Sequence, residues 1–315
     1  MHAELLTKLK AISEPTRLRI VTLLLRGELT VSEIMQVLGQ SQPRVSRHLK
    51  LLADAGLCER YPEGGWVFYR LARSRVGERL AALLEEMARS DDPEIARDLA
   101  RLNEVRRLRA ETAQKYFEVA AEQWSKIRGR HYSEAAVEAA MLLAAGDRRF
   151  RLHLDVGTGT GRMLELFAGR ADEGIGVDLS REMLTVARSK MSEAGLSNRL
   201  VRQADATALP LETGAADLIT VHQVLHYLEH PARALTEWAR VLAPGGLLLL
   251  ADFETHGFED FRTDYHHAHL GFSRRDLEGW LVRAGLNPET IEPLTAAQRE
   301  GGLRVLICVA TKPAG

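Results

Sequence analysis

The stretch LDVGTGTGR, Leu154–Arg162, decides how this chain is read. An apolar run leads into it, glycines follow at 157, 159 and 161, and a helical pattern starts near Met163. Glycines at such a spacing remove side chains and let the backbone approach a ligand. A strand, a glycine loop and a helix in that order make the nucleotide-type cradle of a parallel α/β sheet. The spacing G-x-G-x-G is not the G-x-G-x-x-G of dinucleotide folds, and no Gly-Lys-Ser/Thr signature of a P-loop accompanies it.

Downstream the pattern repeats. RLHLDV, EGIGVDL, RLVRQAD, ADLITVHQV and GGLLLLADF read as five strands, with amphipathic helices between them at Glu182–Ala194 and Pro231–Leu242. This alternation predicts a parallel sheet covered by helices on both faces, with ligands at the carboxyl ends of the strands. Asp178 closes the second strand, 17 residues after Gly161. There its carboxylate suits two ribose hydroxyls; the alternative is a helix cap shared with Ser180.

Upstream lies a different organisation. Residues 4–26 are helical in pattern, with Ser13 as expected N-cap, Pro15 in the first turn and an apolar face at Ile20, Leu23 and Leu24. A short helix over 31–38 stops at Gly39, and another starts after Ser41 and stops at Gly56. LCERYP and WVFYRLA then form a hairpin around Gly64-Gly65. Helix, short helix, turn, helix and hairpin make a winged helix-turn-helix. With Val45, Leu49 and Leu52 inward at ~100° per residue, Arg44, Arg47 and Lys50 face outward with Pro43, beside Ser46, and His48 sits at the edge. Arg suits guanine and Lys suits phosphate, and Gln42 opens the helix where recognition helices approach bases. Arg60 and Arg70 flank the wing and can meet phosphates. Trp66 at its tip either joins them or packs on the hairpin.

Charge follows the same division. Residues 1–75 carry 12 Lys+Arg against 7 Asp+Glu, and residues 150–315 carry 17 against 22. The basic N-terminal part can meet nucleic acid, whereas the acidic C-terminal part is repelled by it. Residues 75–128 read as almost entirely helical, with SDDPE (Ser90–Glu94) as a restart; they form either a dimerisation element or a solvated spacer. Two distant cysteines, Cys58 and Cys308, make neither a disulfide framework nor a metal cluster. No secretory signal or membrane-length apolar run is read, so a reducing cytoplasm is expected.

Residues 4–72 resemble the ArsR/SmtB family of winged-helix repressors, through SEPTRLRIVTLLL and SQPRVSRHLKLLADAGL. The resemblance implies a homodimer on an imperfectly palindromic operator, released by a ligand. It departs from the family's metal chemistry. ELTVSEI carries Thr30 and Ser32 in the cysteine positions of arsenic sensors, and RVGERLAALLEEMARS has none of the histidines of zinc sensors. No metal site is expected.

Residues 116–310 resemble class I S-adenosylmethionine-dependent methyltransferases, through LDVGTGTG, GVDLSREML, QADATALPL, ADLITVHQVLHYL and VLAPGGLLLLADF. The resemblance implies S-adenosylmethionine or S-adenosylhomocysteine as ligand. Asp155, Gly157, Thr158, Gly159 and Gly161 would hold its methionine end and Asp178 with Leu179 its ribose. Met183, Asp205 and Ala206 would meet the adenine, and His222 and Gln223 would line the pocket. Tyr116 and Trp124 are expected either to cover it or to pack in the core.

The expected architecture is therefore mixed: an α+β winged helix (1–75), a helical connector (76–115) and an α/β Rossmann-like methyltransferase domain (116–315). Methyl transfer demands little beyond placement of an acceptor. Base candidates are His222, His226, Tyr227 and the run His266, His267 and His269, a run that reads more readily as an exposed feature than as a site. HQVLHYL stands where DNA amino-methyltransferases carry their proline motif, and no Pro-Cys nucleophile exists, which leaves a small-molecule acceptor or none. Two readings follow. One is a regulator whose ligand is the cofactor, controlling methionine or methyl-cycle genes. The other is an active methyltransferase with an autoregulatory DNA-binding domain.

Overall fold

The computed structural model describes residues 2–63, 66–72, 83, 92–109, 133–263, 265, 267–294 and 302–314. The chain divides into two units, Met1–Thr112 and Ala113–Gly315.

The first unit opens with α1 (His2–Ile12) and α2 (Pro15–Leu24). The junction sits one residue later than the expected Ser13 cap. Proline disfavours helical backbone in the residue before it, so Glu14 is extended and becomes the cap. Its Oε2 accepts from Arg17 N at 2.9 Å. Ser13 instead donates its hydroxyl to Lys10 O at 2.8 Å, finishing α1. After β1 (Leu29–Thr30), α3 (Val31–Leu38) starts with a Thr30/Glu33 capping box and ends at left-handed Gly39. Helix α4 covers Gln42–Asp54. Strands β2 (Cys58–Glu63) and β3 (Trp66–Leu71) pair antiparallel in a sheet of order β1-β3-β2. The expected hairpin turn at Gly64-Gly65 lies outside the described residues.

Helix α5, residues 93–109, belongs to this unit. Asp92 Oδ1 caps it, accepting from Glu94 N at 2.8 Å, as the SDDPE reading expects. Leu102 and Val105 are buried in one cluster with Ile20, Ile34, Val45, Leu49 and Leu52. Burial of each large apolar side chain contributes about 1.5–3 kcal/mol. Arg19 holds Asp98 through two bonds (2.6 and 2.7 Å), and Arg101 donates to Val37 O at 3.0 Å. The described part of the connector is thus packed on one face rather than solvated all round.

The second unit is built on a seven-stranded sheet, order β6-β5-β4-β7-β8-β10-β9. The five expected strands are β4 (Phe150–Val156), β5 (Ala171–Asp178), β6 (Arg199–Gln203), β7 (Ala216–His222) and β8 (Leu242–Phe253), all mutually parallel. Strands β9 (Asn287–Pro293) and β10 (Val305–Thr311) extend one edge, with β10 antiparallel to both neighbours. The sheet is therefore mixed, not purely parallel. Along β8, Leu248 and Leu250 join the core on one face, while Leu247, Leu249, Ala251 and Phe253 join that on the other. Burial on both faces is why its sequence is a continuous apolar run. Helices Pro231–Val241 and Arg274–Arg283 cover the first face, and Glu134–Ala145 covers the second.

Candidate functional site

In the first unit, α4 separates its two faces as the spacing predicts. Val45, Leu49 and Leu52 are fully buried, whereas Gln42, Pro43, Arg44, Arg47 and Lys50 are exposed. Ser46 and His48 are half-buried, and His48 Nδ1 lies 3.5 Å from Glu14 Oε2. His48 therefore faces α2 rather than the outward row. On the wing Arg60 is exposed, but Arg70 is engaged by Glu59 across the hairpin, Nε to Oε2 2.7 Å. Trp66 is half exposed and edge-on to Phe68 at 6.3 Å.

In the second unit, the glycine loop follows β4 at the carboxyl end of the sheet. A Cβ on Gly157 would stand 2.2 Å from Val224 Cγ2, so no other residue fits there without movement. Thr158 N donates to Val177 O at 2.8 Å, which ties the loop to β5. Asp178 closes the cradle: Oδ2 accepts from Gly159 N and Oδ1 from Ser180 N, both at 2.8 Å. Burial raises its pKa against these backbone bonds. The cap of the following helix is Ser180, whose hydroxyl accepts from Met183 N at 3.2 Å, so Asp178 organises the loop rather than capping. Leu179 is exposed and Met183 half-buried. Asp205 is exposed on the segment after β6, its Oδ1 accepting from Thr207 N at 2.7 Å and Thr207 Oγ1 at 2.8 Å. These bonds lower its pKa. Ala206 is buried, and its carbonyl accepts from Trp238 Nε1 at 2.8 Å.

Beneath the loop runs a buried polar chain. Thr220 Oγ1 donates to Asp155 Oδ1 at 2.7 Å and lies 2.7 Å from His153 Nε2. A hydroxyl has one proton, so with Thr220 donating to Asp155, His153 must donate from Nε2. Burial pushes His153 down to about 3 and keeps it neutral. Burial also pushes Asp155 up to about 7, against the pull of the Thr158 and Thr220 hydroxyls.

A second cluster lies at the ends of β7 and β8. Asp252, fully buried, accepts from Leu225 N (2.8 Å), Phe253 N (2.8 Å) and His226 Nδ1 (2.7 Å). Burial alone would raise its carboxyl; His226 and the two backbone N–H groups outweigh this and hold it below its ordinary value. Because the carboxylate only accepts, His226 carries a proton on Nδ1 and donates it to Asp252. His267 stacks on His226 with ring centroids 4.0 Å apart, and Tyr227 lies at 4.2 Å, half exposed. His267 is 4% exposed, which corrects the reading of its run as a surface feature. Burial pushes it down to about 3. His222 and Gln223 are half-buried at the end of β7. Gln223 is the one described non-glycine residue with positive φ, 60°, and its N donates to Ala251 O at 2.8 Å. Strain of that kind collects at functional sites.

The structure thus brings Asp155, Gly157, Thr158, Gly159, Gly161 and Asp178 into one cradle. Tyr116, Trp124 and His266 lie outside the described residues. Asp252, Thr220 and His153 escaped the sequence reading. The only signal for Asp252 was a carboxylate ending an apolar strand, which demands a buried partner. Burial pushes the thiols of Cys58 and Cys308 up to about 12, so neither is a nucleophile at neutral pH. Among the described residues no cluster of His, Cys, Asp and Glu could hold a metal, and no helix is long and apolar enough to cross a membrane.

Residues 14–60 match the family described as bacterial regulatory protein, arsR family. The arsenical resistance operon repressor of Escherichia coli (strain K12) is 41% identical over 98 residues, which cover 30% of this chain and 83% of the repressor. The chain belongs to the arsR family. It is an arsR-family regulatory protein carrying a methyltransferase domain, which the family match places at residues 154–250. An uncharacterized methyltransferase of Bacillus subtilis (strain 168), YcgJ, is 34% identical over 121 residues, 38% of this chain and 48% of that protein. The chain spans about half the length of the curated methyltransferases it matches. Among solved structures, the [4+2]-cyclase SpnF superposes with a TM-score of 0.53 at 20% identity, over 64% of this chain and 95% of that one, a likeness of fold alone.

Proposed function

We propose that this arsR-family protein is a cytoplasmic transcription regulator whose methyltransferase domain binds S-adenosylmethionine or S-adenosylhomocysteine as the effector that sets DNA affinity. One observation carries the reading: the exposed row Gln42, Arg44, Arg47 and Lys50 shares a chain with a glycine cradle closed by Asp178. The cradle suits the ligand. Gly157 leaves no room for a side chain, Asp178 offers oxygen lone pairs at a strand end, and Asp205 is exposed after β6, where it would meet the adenine. Asp155, held near neutrality by burial, favours its charged form when the ammonium of a methionine end approaches. Linkage requires only that the ligand bind free and DNA-bound forms unequally. The thiols that would bind arsenic are absent, so this ligand takes the inducer's place. The genes that fit are those of methionine and the methyl cycle, read by a homodimer on half-sites about one DNA turn apart or a multiple of it.

A second reading is favoured by the Asp252–His226 pair. When bound, S-adenosylmethionine supplies an electrophilic methyl group. Asp252 fixes the His226 tautomer, and Nε2 then takes the proton of a small-molecule acceptor.

The test is calorimetric titration with both ligands, paired with DNA-binding measurements on an operator selected from a random pool. Asp178→Ala removes the ligand response and preserves basal DNA binding; Arg47→Ala does the reverse. DNA affinity unmoved by either ligand overturns the effector reading. Absence of labelled methyl transfer into a cell extract overturns the second.

A further inference from the structure

A cleft of about 620 Å³ opens on the second unit, lined by Thr207, Arg233, Thr236, Glu237, Trp280 and Arg283. Its walls are helices Pro231–Val241 and Arg274–Arg283. Both are seated on the same apolar core through Leu235, Trp238, Leu277 and Leu281, so the cleft is framed by rigid elements.

The chemistry of the lining is specific. Arg233 and Arg283 are exposed, and neither is within ion-pair distance of a carboxylate among the described residues. Arg233 shares the field of Glu237 and Asp205, but the Glu237 oxygens are bonded elsewhere. Glu237 Oε1 accepts from Leu209 N at 2.8 Å and Arg240 Nη2 at 2.7 Å, and its Oε2 accepts from Arg240 Nε at 2.8 Å. Two guanidinium forks with no direct carboxylate bond among the described residues suit a phosphate. The hydroxyl protons of Thr207 and Thr236 are spent inward, on Asp205 Oδ1 and Ala232 O, which leaves their lone pairs to accept from hydroxyl groups of a ligand. Trp280 is half-buried, its ring edge-on to Phe272 at 5.7 Å, and offers an apolar surface to a flat ring.

We propose that this cleft is a second ligand site, for a nucleoside phosphate: phosphate on Arg233 and Arg283, sugar hydroxyls toward Thr207 and Thr236, and base against Trp280. The proposal does not depend on the assignment of the glycine cradle. Thr207 also holds Asp205, so occupancy of the cleft bears on the segment beside that cradle.

The test uses the full chain and uridine 5′-monophosphate, whose base differs from adenine. The expected result is saturable binding at one site per chain that persists in protein saturated with S-adenosylhomocysteine. Arg233→Met with Arg283→Met weakens it at least tenfold while the urea midpoint stays unchanged. Trp280→Leu weakens uridine monophosphate more than inorganic phosphate. Binding unaffected by the double substitution, inorganic phosphate bound as tightly as the nucleotide, or stoichiometric displacement by S-adenosylhomocysteine would each overturn the proposal. Loss of S-adenosylhomocysteine binding alone would sink the effector reading and leave this one standing.

Discussion

The outer face of α4 and the ends of β7 and β8 both display polar side chains, under opposite physical conditions. Arg44, Arg47 and Lys50 stand in water, make no bond among the described residues and cost the fold almost nothing. Asp252 and His226 are at most 1% exposed, and each finds a partner on a different segment, in the other. On the first surface, polarity is held for a partner outside the protein. On the second, it is consumed holding a geometry. Mutations should therefore separate stability from binding in opposite ways at the two places.

The largest effect is expected at Asp252→Ala. It strips three donors of their acceptor, and breaking a buried pair costs about 3–5 kcal/mol. Urea unfolding of the second unit reads this directly, and a loss under about 1 kcal/mol, the worth of an exposed pair, would break the comparison. Asp155 adds a pH dependence. Its folded pKa, about 7, lies above the ordinary 3.8, so its contribution is fully present below about 4 and is lost as pH rises toward 7. Asp155→Asn cannot ionise. Its stability relative to the parent chain should climb across that window, and parallel pH curves would show that burial does not tax this carboxyl.

At the exposed surface the sign of the separation reverses. Arg47→Ala is expected to weaken operator binding by about 1–3 kcal/mol, as for one base contact, while the first unit's unfolding midpoint hardly moves. Thr30→Ala removes a capping box from α3, and about 1 kcal/mol of stability should go with it. Smallest is Lys50→Ala. Stability should stay within about 0.5 kcal/mol, while the salt dependence of DNA binding falls by about one phosphate contact. A destabilised Lys50→Ala would mean that this side chain is structural after all.

The same contrast decides what was legible in the sequence. Val45, Leu49 and Leu52 sit inward because a helix repeats every 3.6 residues, and that period is written in the chain. The glycine loop was legible because glycine spacing states where backbone must come close. The N-cap shifted from Ser13 to Glu14 because proline restricts its predecessor more strongly than a serine attracts the cap. His267 was misread because a run of histidines carries no period, and only its packing against His226 and Phe253 buries it. Asp252 was missed because its partner His226 is 26 residues away on a different segment.

The order of elements, the inward face of α4, the cradle after β4 and the absence of metal-binding thiols follow from the sequence alone, since each depends on local periodicity or residue type. Tertiary structure alone decided that β10 runs antiparallel, that Asp178 accepts from Gly159 and Ser180, and that Asp252 meets His226. These depend on distance in space, and burial is what raises their energetic stakes: a polar atom out of water must find its partner wherever the fold brings one.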